Sequence, residues 1–126
     1  MNIMYRKTSL TILLVFILAA AVAQVKKQSE INRGLKDYYS TYFPMGVAVS
    51  PWSLKTDEAS LILREFNSLT AENAMKMGPI HPEEKVFFWQ HADSIAAFAK
   101  RHQLKLRGHT LCWHNQTPKW FFVDQK

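Results

Sequence analysis

The sequence predicts an α/β fold built on a parallel sheet, and three observations carry that expectation. Stretches of strand length occur at residues 45–49, 68–71 and 104–109, the first an apolar run and the other two alternating apolar with polar residues. The stretches between them repeat their apolar residues at helical spacing. The polar residues best suited to chemistry sit where the runs end. Strand, helix, strand, helix, strand in that order is the signature of parallel α/β architecture.

Composition fits a packed globular chain. Of 126 residues, 48% are hydrophobic and 13% aromatic, which is too apolar for a disordered segment. The formal net charge is +6, but the basic residues are scattered without a stripe, so no nucleic-acid partner is implied. Cys112 is the only cysteine and has no partner for an internal disulfide.

The first residues have their own pattern. Arg6 and Lys7 precede an apolar run over residues 10–23, broken only by Thr11 and closing on Ala21-Val22-Ala23. A basic start, a 14-residue apolar run and a small-x-small end describe a secretory signal peptide. The run is short for a membrane span, and only Lys26 and Lys27 follow it. Cleavage after Ala23 would remove Arg6 and Lys7 and lower the net charge from +6 to +4. The expected product is a secreted protein, extracellular or periplasmic, without a membrane association of its own.

Residues 24–34 read as a polar N-terminal extension, with a helix around residues 31–39 that Gly34 weakens. The run 45–49, ended by Ser50-Pro51, reads as a buried strand. Thr56-Asp57-Glu58 offers a helix cap and first-turn acids; Ala59, Ile62, Leu63 and Phe66 then follow at i, i+3, i+4, i+7. Residues 68–71 form the second strand, with Glu72 and Asn73 at its C-terminal end. A long connection follows, broken at Gly78-Pro79 and His81-Pro82. Ala92, Ile95, Ala96 and Ala99 restore the helical spacing, and Lys100, Arg101 and His102 place positive charge in its last turn. Residues 104–109 form the third strand and end at His109.

In parallel α/β sheets ligands sit beyond the C-terminal ends of the strands. Glu72, Asn73 and His109 all occupy that edge. The stretch from Gly108 to Trp120, GHTLCWHNQTPKW, adds further polar and aromatic groups. His109 and His114 are five apart, with no clear third ligand, so neither a metal nor another cofactor is expected. Cys112 reads as a small buried apolar side chain on a strand extension rather than a nucleophile. A sugar site suits the inventory better. Pyranose hydroxyls want paired donors and acceptors, and the C–H faces want an aromatic plate. Glu72, Asn73, Lys76, His109 and Gln116 supply the former and Trp113 the latter. Trp120 reads as core packing, and His114 reads equally as a buried histidine holding the loop.

These residues carry a resemblance. Glu72-Asn73-Ala74-Met75-Lys76, then Ala92-Asp93, then residues 107–120, RGHTLCWHNQTPKW, together resemble glycoside hydrolase family 10. An EN-x-x-K block followed by a GHTL-x-WH-x-Q-x-P-x-W block is specific, and the likeness runs from about Leu35 to the C-terminus. The best-known members of that family are secreted endo-1,4-β-xylanases on a TIM barrel. The resemblance therefore implies that residues 35–126 are part of such a domain, about the first three βα units of a (β/α)8 barrel. It implies that Glu72, Asn73 and Lys76 bind sugars on the non-reducing side of the scissile bond. His109, Trp113 and Gln116 would line the cleft near the sugar being cleaved, with xylan or xylo-oligosaccharide as partner.

The family hydrolyses with retention through two carboxyl groups, one acid/base and one nucleophile. By resemblance they lie in a W-D-V-x-N-E block after the fourth strand and a T-E-x-D block near the seventh. Neither block occurs in these 126 residues, whereas a TIM barrel typically takes about 250 residues. Glu83 and Glu84 are adjacent and cannot both face a cleft from regular structure. The expectation is an N-terminal part of a xylanase with no catalytic residue of its own and no activity by itself. The alternative is a non-catalytic xylan-binding module.

Overall fold

A computed structural model describes residues 2–123. The chain divides into two compact units, residues 1–33 and 34–126. The first unit is one long helix, α1 (Asn2–Ile31), whose apolar side chains from Ile12 to Leu18, with Val22 and Val25, are exposed. It runs without a break across Ala23 and Gln24. Among the described residues, no helix is long and apolar enough to cross a membrane.

The second unit begins at Gly34. Instead of the helix expected over residues 31–39, α1 ends at Ile31 and a one-turn helix, α2 (Leu35–Tyr38), starts anew. Gly34 separates them because it is extended (φ −93°, ψ 175°) and buried against a neighbouring backbone. A Cβ there would lie 1.9 Å from the carbonyl oxygen of Arg64.

The sheet is parallel throughout. Strands β1 (Gly46–Val49), β2 (Ser68–Ala71) and β3 (Lys105–Arg107) lie in the order β1-β2-β3. Gly46 is opposite Ser68 and Val49 opposite Ala71, while Ser68 faces Lys105 and Thr70 faces Arg107. Helix α3 (Glu58–Glu65) connects the first pair of strands. A one-turn helix α4 (Met77–Ile80) and then α5 (Gln90–Arg101) connect the second.

Alternation along β2 decides which face is core. Leu69 and Ala71 are buried, whereas Ser68 and Thr70 are half-buried on the opposite face. Leu69 and Ala71 pack with Val49 of β1, Ile62 of α3, and Ile95 and Ala99 of α5, with Ala74 closing the cluster. Complete burial of a Val, Leu or Ile side chain contributes about 1.5–3 kcal/mol, and Leu69, Ile95 and Val49 are the largest side chains so buried.

Several local expectations are corrected. The N-cap of α3 is Asp57, and its side chain makes no capping hydrogen bond; the Thr56 hydroxyl donates to Ser53 O instead. Gly78-Pro79 does not simply break the chain but lies within α4, because proline is tolerated in a helix's first turn. The third strand stops at Arg107, two residues short of His109, since its ladder to β2 gives out at the Thr70–Arg107 pair. Beyond it, the strand extension expected at Cys112 is a loop. Where the helix of a third βα unit was expected, the described residues form only a 3-10 turn (Lys119–Phe122). Two βα units and a third strand are therefore what the described residues contain.

Helix α5 ends in a reversed turn. Gln103 adopts φ 56°, and the Leu104 N–H donates to Ala99 O at 2.9 Å. This is a Schellman-type closure built on glutamine rather than glycine, and it aims the chain directly into β3.

Candidate functional site

The site forms where β2 leaves the sheet. The Glu72 N–H donates to Val49 O at 2.9 Å, so the first residue beyond β2 is still tied to β1. The next residues fold back on themselves, with the Lys76 N–H donating to Asn73 O at 2.9 Å. This turn puts the side chains of Asn73 and Lys76 within reach of each other, and Lys76 Nζ donates to Asn73 Oδ1 at 2.9 Å.

The same oxygen takes a second donor from far along the chain. Gln116 Nε2 donates to Asn73 Oδ1, also at 2.9 Å. The Gly78 N–H donates to Gln116 O at 2.7 Å, so the loop carrying Gln116 is held by both side chain and backbone. With Oδ1 saturated by two donors, the Asn73 amide has a defined orientation, and its NH2 is the group able to donate to a hydroxyl.

Lys76 is only 9% exposed. Its ammonium lies 4.6 Å from the centroid of the Trp113 ring, a cation–π contact that offsets part of the cost of burying the charge. Trp113 remains 37% exposed, with His114 edge-on to it at 5.3 Å. The Trp113 turn is closed by Thr117, whose hydroxyl donates to Trp113 O.

Four of the six expected substrate-binding residues, Asn73, Lys76, Trp113 and Gln116, are thus in one connected cluster. Glu72 joins through a cavity of ≈ 190 Å³ that it lines with Asn73, Ser50, Pro51, Pro79 and His91. His109 is exposed beyond the end of β3, outside this network of contacts.

Other expectations in the opening stretch change. Cys112 is an exposed free thiol rather than a buried apolar side chain, because the loop around it is not a strand and no core lies beneath it. His114 is exposed and does not hold the loop from within. Trp120 is half-buried, donates from Nε1 to His81 O at 3.2 Å, and meets the His81 ring edge-on at 4.5 Å. This is a packing contact, but it lies outside the core cluster in which Trp120 was expected. Among the described residues no group of three His, Cys, Asp or Glu side chains is placed to hold a metal ion.

Sequence reasoning missed Ser50, Pro51, Pro79 and His91 as cavity walls. A signal existed for the first two, which stand at the C-terminal end of β1, the same edge that singled out Glu72 and Asn73. His91 carried no such signal, since its place depends on where α5 begins.

Comparison with known proteins identifies the family. The family model of glycosyl hydrolase family 10 matches residues 34–126. An endo-1,4-beta-xylanase/feruloyl esterase of Xylanibacter ruminicola is 48% identical over 94 residues, covering 74% of this chain and 13% of that protein. The crystal structure of xylanase B from Clostridium stercorarium F9 superposes with a TM-score of 0.72 at 45% identity, covering 74% of this chain and 27% of that one. A mutant protein solved in complex with xylotriose gives 0.71 at 42% identity, covering 73% of this chain and 28% of that one. The chain therefore spans a minor part of the length of the relatives it matches. The family model spans 93 of the 126 residues, the Asn73 cluster among them, and on that ground the chain belongs to glycosyl hydrolase family 10.

Proposed function

We propose that residues 34–126 supply the sugar-binding wall of an endo-1,4-β-xylanase built on a (β/α)8 barrel and acting on internal bonds of xylan. The observation that carries this reading is the saturation of Asn73 Oδ1 by Lys76 and Gln116 at the C-terminal edge of the parallel sheet. It leaves an amide NH2 and an ammonium as fixed donors beside a partly exposed indole. That combination suits a xylose ring, whose hydroxyls need oriented partners and whose C–H face needs an apolar surface. In this reading Glu72, Asn73 and Lys76 bind the non-reducing side, and His109, Trp113 and Gln116 border the sugar being cleaved.

Cleavage with retention needs two carboxyl groups about 5–5.5 Å apart. Among the described residues, Glu72 is the one acid that lines the cavity, and Glu83 and Glu84 are exposed in a separate turn. We therefore assign these residues to binding and orientation, and expect a polypeptide of residues 1–126 to hydrolyse no xylan. The basic start and apolar run over residues 10–23 support export with removal of residues 1–23.

Titration calorimetry with xylotriose tests the binding role. The protein expressed from its complete reading frame should bind it, and Asn73→Ala should weaken binding about tenfold, as for loss of a charge-assisted or buried hydrogen-bonded group. Absence of xylotriose binding by the unmodified protein would sink the proposal. Reducing-sugar release by purified residues 1–126 would remove its non-catalytic part, and N-terminal sequencing of the exported species should begin at Gln24.

A further inference from the structure

The two faces of the sheet differ in what they carry. Leu69 and Ala71 of β2 pack with Val49 of β1 against α3 and α5, so the alternate residues share the opposite face. Strand register sets these in rows. Gly46, Ser68 and Lys105 form one, and Ala48, Thr70 and Arg107 form the next, nearer the C-terminal edge. The four residues from β1 and β2 are short and uncharged, whereas β3 contributes two cations, both exposed. Among the described residues neither cation has a carboxylate partner, and residues 94–123 contain no Asp or Glu.

The two cations are not equivalent. Lys105 begins β3, where a flexible ammonium reaches water at the foot of the sheet. Arg107 ends β3, in the row just below the edge at which Glu72 and Asn73 leave β2. His109 follows two residues on, and the chain then enters the loop that carries Trp113 and Gln116.

We propose that Arg107 is a positioning residue. Its guanidinium pairs inside the closed barrel with a carboxylate from a strand facing β3, and the pair fixes the start of the loop bearing His109, Trp113 and Gln116. The inference rests on the reading that this sheet belongs to a (β/α)8 barrel, in which the face opposite the helices is the packed interior. A guanidinium does not shed its proton, and burying it without an anion is costly. A carboxylate suits it because two parallel hydrogen bonds fix the direction of the side chain as well as its charge. Gly46, Ala48, Ser68 and Thr70 offer no anion, so the partner belongs to the strands that complete the barrel.

Thermal unfolding of the protein expressed from its complete reading frame, between about pH 8 and about pH 5, tests this. Arg107→Met should lower Tm by about 6–12 °C at the upper end. Without its cation the buried carboxylate has a folded pKa raised above the unfolded value, so the penalty is largest at high pH and fades as pH falls. The Tm gap between the two proteins should therefore narrow toward pH 5. It should narrow equally in a His109→Gln background, which removes the nearest group on β3's path that titrates in this range. Arg107→Lys keeps the charge and should recover most of the Tm. Xylotriose binding should weaken about fivefold in Arg107→Met and recover in Arg107→Lys. Ala48→Leu, in the same row, reports on closure and should lower Tm by about 2–6 °C through overpacking. A destabilised Ala48→Leu beside an Arg107→Met whose gap is absent or independent of pH overturns the ion pair and leaves the barrel standing. Unchanged xylotriose binding by Arg107→Met overturns the positioning role. A neutral Ala48→Leu shows an open sheet face and overturns the barrel reading and this inference together.

Discussion

Asn73 and Gln116 are 43 residues apart in sequence, yet Gln116 Nε2 lies 2.9 Å from Asn73 Oδ1. The bond joins the turn after β2 to the loop after β3, and it orients the amide assigned to the sugar. Gln116→Ala should therefore weaken xylotriose binding in two ways, by freeing the Asn73 amide and by removing a group assigned to the border of the sugar. A double-mutant cycle with Asn73→Ala should give a coupling of about 0.5–1.5 kcal/mol in binding free energy. Additive losses would show that the two side chains act independently.

The tryptophans on either side of Gln116 should separate by what they damage. Trp113→Ala removes the ring beneath the Lys76 ammonium and the plate assigned to the sugar, and His109→Ala removes a donor at the sheet's C-terminal edge. Both should lower kcat/KM on xylan more than Trp120→Ala does at matched folded fraction. Trp120→Ala, which loses the contact to His81, should cost about 2 kcal/mol of stability. Comparing kcat/KM and Tm across the three variants checks the assignment. A Trp120 variant with normal Tm and the lowest activity would reverse it.

Gly34→Ala should destabilise strongly. The added Cβ would sit 1.9 Å from Arg64 O and 2.7 Å from its carbonyl carbon, both backbone atoms. Relief requires α2 to move off α3, at a cost of about 2–3 kcal/mol. Gly46→Ala is the control, because the nearest atom to a Cβ there is Ser68 Cβ at 3.7 Å. Urea unfolding of the two variants should place their midpoints on opposite sides of a clear gap.

The seam between α2 and α3 should also respond to acid. Glu65 Oε2 accepts the Leu35 N–H at 2.8 Å, and Oε1 accepts Arg64 Nε at 2.6 Å. The Leu35 bond, then the Arg64 bond, hold the Glu65 pKa below its ordinary value of 4.5. A carboxylate whose folded pKa is depressed stabilises the fold above its unfolded pKa, and that contribution disappears as pH falls through the folded pKa. Melting temperature should therefore drop more steeply below pH 4.5 in the unmodified protein than in Glu65→Gln. The glutamine keeps an acceptor for Leu35 but has no charge to lose. Parallel profiles would show that the charge contributes nothing.

What the sequence determined by itself was the succession of strands and helices and the core face of α5. Ser68–Ala71 is the second strand as read, and Ala92, Ile95 and Ala99, picked out by their spacing, are the buried residues of α5. These features were legible because backbone periodicity is encoded within a few neighbouring residues. The edge at which Glu72 and Asn73 stand followed from strand direction alone. The tertiary structure decided what depends on distant partners. Gly34 breaks the first helical stretch because of Arg64, and β3 stops at Arg107 because its pairing to β2 stops there. The same holds for Lys76, whose ammonium takes its place from Trp113 and Asn73 together. No local pattern records such contacts, since each exists only after the sheet has brought separate loops to one edge.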